Sequence, residues 1–168
     1  AALTEQLPAG MPQLHLGAEV YYYRGMSHTE QMRSLAIDGG RYLLVEMPWN
    51  GWAEKDFHEL QLIHDNLELT PVIAHIDRYI NHSNAKKVME RLEQLPVLVQ
   101  ANASFFTGFF TRKMALRYLA EGRIHLLGSD CHDLSKRPPV LGDVMKKISE
   151  KVSLEAVHAT AQEVLAVR

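Results

Sequence analysis

The chain has 168 residues, a length that suits one domain with a sizeable core. It is 46% hydrophobic and 23% charged, with a net charge of -2, so it carries no field for gripping nucleic acid or an anionic membrane. No apolar run approaches the roughly 20 residues that span a bilayer, which excludes membrane insertion by a helix. The opening AALTEQLPAG lacks the basic start and apolar middle of a secretory signal. It reads like the tail of a helix and has no initiator Met, so the chain is expected to be a fragment. The single cysteine, Cys131, excludes an internal disulfide and suits a reducing cytosol. A cytoplasmic location is expected.

The first apolar run, LHLGAEVYYY (14–23), predicts a strand, with Tyr21, Tyr22 and Tyr23 on alternating faces. The stretch from Arg24 to Gly40 is less regular; a short helix around His28–Leu35 is expected. YLLVEM (42–47) is the next strand. AEKDFHELQLIHDNLEL then places Phe57, Leu60, Ile63 and Leu67 on one helical face. PVIAHI (71–76) is a third strand. NAKKVMERLEQL follows as a helix with Val88, Met89, Leu92 and Leu95 inward and Ser83 or Asn84 as N-cap. VLVQANA (97–103) is a fourth strand. Beyond it, Phe105, Phe106, Phe109 and Phe110 suit either core packing or an apolar wall beside a site. TRKMALRYLAEG gathers Met114, Ala115, Tyr118 and Leu119 and stops at Gly122, a natural C′ residue. IHLLGSD (124–130) is a fifth strand. GDVMKKISEKV and a segment from Ser153, with Leu154, Val157, Ala161, Val164 and Leu165 inward, close the chain as helices. Short β-rich runs alternating with helices predict parallel βα units, in an open sheet or a barrel.

The polar residues fall at strand ends. Glu46 follows YLLV, His75 follows PVIA, Asn102 follows VLVQA and Asp130 follows LLGS, while Glu19 lies inside its own run. In parallel α/β architectures chemistry collects at the carboxyl ends of strands, where the βα loops converge. A strand-end Asp or Asn also caps turns, and a lone buried His also serves as a hydrogen-bonded core residue. Glu46, between four apolar residues and Met-Pro, has no such structural account. The nine histidines include no His-x-His or His-x3-His pair, so a metal site must be assembled from distant segments. Glu19, Glu46, His75, Asp130 and His132 together offer three carboxylates and two imidazoles. That set suits manganese, iron or zinc, not calcium. Arg78 and Arg137 follow two of these ends, and their planar forks fit phosphate oxygens. A phosphate ester is the expected substrate.

These segments resemble a known family. G-A-E-V (17–20), Y-L-L-V-E-M-P (42–48), P-V-I-A-H-I-D-R-Y (71–79), V-Q-A-N-A-S-F-F-T-G-F-F (99–110) and G-S-D-C-H-D…R-P-P (128–139) are similar, in order, to the bacterial capsule-type protein tyrosine phosphatases of the polymerase-and-histidinol-phosphatase (PHP) superfamily. The resemblance implies a single PHP-type domain over 1–168, a distorted, TIM-like (β/α)7 barrel. It implies metal ligands Glu19, Glu46, His75, Asp130 and His132, with Arg78 and Arg137 as the phosphate-contacting catalytic arginines. It implies manganese, with iron or zinc as substitutes and up to three ions in a full-length relative. The implied substrate is phosphotyrosine on a bacterial tyrosine kinase that regulates capsule or exopolysaccharide assembly.

Three departures stand out. Ile76-Asp77 replaces a Pro-Glu pair before Arg78, and Cys131 replaces a small residue. The family's opening His-x-His strand, and the aspartate and histidine that follow it, have no counterpart in this sequence. The resemblance therefore implies a barrel incomplete at its N-terminus, with few or no metals and little activity in this chain alone. An unpaired sheet edge would invite association, including with a second copy.

Three alternatives stay open. A PHP-type small-molecule phosphatase, of the histidinol-phosphatase kind, would use the same site. A catalytically incomplete PHP-like module would serve binding or assembly. Cys131 and Arg137 also read C-x5-R, the spacing of thiolate phosphatases, although HDLSK lacks the glycines that turn loop amides inward.

Overall fold

The computed structural model describes residues 13–49, 51–80 and 85–166. Its centre is one sheet of β1 (Glu19–Tyr21), β2 (Tyr42–Glu46), β3 (Thr70–Ile73), β4 (Leu98–Asn102) and β5 (Leu126–Gly128). All four neighbouring pairs are parallel, and the spatial order is β1-β2-β3-β4-β5. Each strand adds beside its predecessor, so the order reversal of a doubly wound sheet is absent among the described residues.

The helices are α1 (Met32–Leu35), α2 (Glu54–Leu67), α3 (Ala85–Leu92), α4 (Ala103–Thr107), α5 (Arg112–Ala120), α6 (Leu141–Ser149) and α7 (Glu155–Leu165). The expected helix at 28–35 splits into a 3-10 turn at Met26–His28 and the short α1. The apolar stripe of α2 is buried as expected, through Phe57, Leu60, Ile63 and Leu67. Asp56 supports its start, accepting the Ala53 N–H at 2.8 Å and the Tyr22 hydroxyl at 2.8 Å. Burial, then Asp56, pushes the Tyr22 phenol up, so it stays a donor. After α5, Gly122 takes the left-handed conformation (φ 71) that its C′ position requires. At the N-cap of α7 Leu154 is buried, as are Val157 and Val164 within it, but Leu165 is exposed, which corrects its inward placement. The expected cap at Ser83 or Asn84 lies outside the described residues.

The two sheet faces differ. Leu43, Val45, Ile73, Val99 and Ala101 join the main core with residues of α2, α3 and α5. On the other face Tyr42, Val72 and Val164 form a small cluster with Leu44, Leu98 and Leu126 packed on it. This second face is apolar at the strand starts and polar at their ends. Glu46 follows Leu44 by two residues, and Gln100 and Asn102 follow Leu98 by two and four, so alternation keeps them on that face. Glu19 joins it because its register partner is Leu44. No helix of the described residues is long and apolar enough to cross a membrane.

Candidate metal centre

Strand alternation delivers Glu19 and Glu46 to the polar end of the second face. His75 arrives differently. It follows β3 in a left-handed conformation (φ 35), which breaks the alternation and turns its imidazole toward the two glutamates. One ligand atom from each of Glu19, Glu46 and His75 lies within 4.8 Å of the others. His75 Nε2 is 3.0 Å from Glu19 Oε1 and 3.5 Å from Glu46 Oε1. The side chains of His75, Glu46 and Glu19 are 2%, 21% and 39% exposed, so the group runs from a buried imidazole out to solvent at Glu19.

Glu19 and Arg78 compete for His75 Nε2. With Arg78 Nη1 donating from 3.0 Å, Nε2 is the acceptor and the proton lies on the buried Nδ1, which has no partner among the described residues. Glu19 Oε1, also an acceptor, then faces the same lone pair from 3.0 Å. Placing the proton on Nε2 satisfies Glu19 but opposes Arg78. A cation taking the place of the Arg78 Nη1 contact would be met by all three lone pairs together. Two hard oxygens and one borderline nitrogen form the donor set of manganese, iron or zinc. The residues present therefore fit a divalent metal.

Arg78 links this trio to the end of β5. Its Nη1 donates to Glu46 Oε1 at 3.0 Å and its Nη2 to Asp130 Oδ2 at 2.7 Å. Asp130 is also left-handed (φ 52) and bonds Arg137 Nη2. Each such non-glycine conformation costs about 1–3 kcal/mol and persists only where surroundings enforce it. His132 Nδ1 donates to the Asp130 carbonyl at 3.0 Å, leaving Nε2 to accept from Arg137 Nη1 at 3.0 Å. All seven residues singled out in the sequence thus lie in one connected network. Only Glu19, Glu46 and His75 fall within the tight metal-sized group. Asp130 stands one arginine away, and His132 is exposed at the rim.

The thiolate alternative does not survive the loop geometry. The N–H groups of Ser135, Lys136 and Arg137, which would have to cradle a phosphate, all donate to Asp133 Oδ1, at 2.7, 2.6 and 3.3 Å. Those bonds hold the Asp133 carboxyl down at about 2. Cys131 Sγ rests 3.6 Å from the Asp133 carbonyl.

Four supporting residues were missed from sequence. Gln100 Oε1 accepts the His75 N–H and so fixes the left-handed turn. Gly128 makes room for it, since a Cβ there would lie 2.5 Å from Gln100 Nε2. Asp77 accepts the Asn102 N–H at 2.8 Å and ties the loop after β3 to the end of β4. Trp49 packs on Arg78, its ring centroid 5.7 Å from the guanidinium carbon. The inward strand position of Gln100 was the one signal available. The proposed phenylalanine wall divides: Phe105 and Phe106 are core, while Phe109 and Phe110 are 89% and 91% exposed.

Comparisons with known proteins identify relatives of this chain. The profile of the family described as Capsular polysaccharide synthesis, CpsB/CapC, matches residues 4–164. Tyrosine-protein phosphatase CpsB of Streptococcus agalactiae serotype III (strain NEM316) is 30% identical over 156 residues, covering 87% of this chain and 63% of that protein. Tyrosine-protein phosphatase CpsB of Streptococcus pneumoniae is 29% identical over 147 residues, covering 80% and 59%. The chain thus spans less than two thirds of the length of these relatives. The fold is similar to a chain from the crystal structures of YwqE from Bacillus subtilis and CpsB from Streptococcus pneumoniae, described as metal-dependent tyrosine phosphatases. That match has a TM-score of 0.74 at 19% identity, covering 88% of this chain and 61% of the other. The chain therefore belongs to the CpsB/CapC family of capsular polysaccharide synthesis.

Proposed function

We propose that this chain carries the site of a metal-dependent phosphomonoester hydrolase that acts on phosphotyrosine in proteins. The observation that supports this most is the Glu19–Glu46–His75 group with Arg78 bonded to two of its members. Relatives that share the family carry the name tyrosine-protein phosphatase. The five-strand sheet is read as an arc of a distorted (β/α)7 barrel, since sequential parallel order is what a barrel wall requires. Manganese is the proposed ion, a bacterial tyrosine kinase the proposed protein substrate and the cytoplasm the proposed compartment.

Glu19, Glu46 and His75 would hold the ion, with Asp130 and His132 completing the set. A divalent cation there supplies positive charge for a phosphoryl oxygen and makes water acidic enough to yield a nucleophile at neutral pH. The chain itself supplies orientation. Arg78 and Arg137 present forked N–H donors from two different loops, which fixes a tetrahedral anion between them. Their permanent charge favours the extra negative charge of the transition state. Gln100 keeps His75 from relaxing out of its turn.

The test is hydrolysis of a phosphotyrosyl peptide with added manganese, with a chelator and in a Cys131→Ser variant. Low turnover that the chelator abolishes and the variant retains is expected. Turnover that survives chelation but dies with Cys131 would refute the reading.

A further inference from the structure

The loop after β2 carries an indole with no part in the core. Trp49 is 54% exposed, yet it is held in place. Its ring meets Tyr79 edge-on at 6.3 Å, Tyr79 meets Trp52 at 5.0 Å, and Trp52 meets the buried Phe57 at 5.7 Å. The Tyr79 hydroxyl donates to the Met47 carbonyl at 2.7 Å and Trp52 Nε1 to the Pro48 carbonyl at 3.1 Å, which pins the backbone leading into Trp49. An aromatic ladder thus runs from the core to the mouth of the site and ends in a half-exposed ring. That ring packs on the guanidinium that bridges Glu46 and Asp130.

We propose that Trp49 is the specificity-determining residue that makes the site select aryl over alkyl phosphates, by packing the substrate's aromatic ring while Arg78 takes the phosphate. The inference rests on the phosphatase reading above. An indole this exposed gains from covering its surface. Its contact with Arg78 puts it about one ring's reach from a phosphate held there. An alkyl phosphate, such as phosphoserine, would satisfy Arg78 but leave the indole wet. A stacked aromatic pair is worth roughly three- to ten-fold in an equilibrium constant.

The experiment measures binding of phenylphosphonate and methylphosphonate, neither of which can be hydrolysed, by calorimetry on the manganese-supplemented chain. Wild-type protein is expected to prefer the phenyl probe. Trp49→Ala and Trp49→Leu should lower the phenyl-to-methyl ratio by roughly three- to ten-fold, while Trp49→Phe should keep most of it. Leucine preserves bulk without a π face, so loss in that variant marks ring recognition, not collapse of the loop. Equal ratios in wild type, Ala and Leu variants would overturn the proposal while leaving the phosphatase reading intact, as would a wild type that shows no phenyl preference. Failure of the wild type to bind either probe, together with no turnover of any phosphomonoester, would overturn both.

Discussion

Arg78 and a metal ion compete for the same atoms. Its Nη1 sits 3.0 Å from both Glu46 Oε1 and His75 Nε2, the atoms that would ligate the ion. Like charges this close repel strongly in a partly dry site. Arg78→Ala should therefore raise manganese affinity several-fold by calorimetry while lowering kcat/KM on a phosphotyrosyl peptide. A variant that lowers both together would mean that Arg78 supports the metal group and does not compete with it. The identity of these residues was legible because each polar side chain ends an apolar run, a local signal. Their roles were less so. The left-handed turn at His75 depends on Gln100 from the next strand, and Gln100 depends on a missing Cβ at Gly128, one strand further. No window of sequence holds those three positions together.

At the scale of elements, each strand overlaps its expected run, with β3 starting one residue early at Thr70, but β1 is much shorter than 14–23. The reason lies in competing partners. The Ala18 N–H bonds the Leu35 carbonyl at 3.0 Å, and the Asp38 N–H bonds the Leu16 carbonyl at 2.6 Å, so the run's first half pairs with the end of α1 and the 3-10 turn after it instead of the sheet. Asp38 tightens that pairing by accepting the Leu16 N–H at 2.7 Å, the main cause of its lowered carboxyl pKa. Between β4 and β5 a histidine does structural work that sequence did not single out. His125 Nδ1 accepts the Val99 N–H at 3.0 Å, which requires a neutral ring on that nitrogen. Burial holds its pKa below the usual 6.5. The unfolded chain then binds the extra proton first, so stability falls as pH drops below about 6.5 and levels off below the folded pKa. Thermal unfolding between pH 7.5 and 5 should show this slope, and His125→Asn, which keeps an acceptor but does not titrate, should flatten it. An unchanged slope in the variant would assign the pH dependence elsewhere.

For the whole molecule, sequence pattern gave parallel βα units but left an open sheet and a barrel equally available. Strand order was the missing fact, because alternation within a strand says nothing about its neighbour. The order found puts five carboxyl ends side by side, and that adjacency lets Glu19, Glu46 and His75, distant in sequence, approach within 4.8 Å. The most direct measurement is a manganese titration of the chain beside its Glu46→Gln variant, which keeps size and hydrogen bonding but removes the charge. Saturable binding by the wild type, weakened roughly 10- to 100-fold or more in the variant, is the predicted result. Equal binding by both, or none by the wild type, would contradict the account.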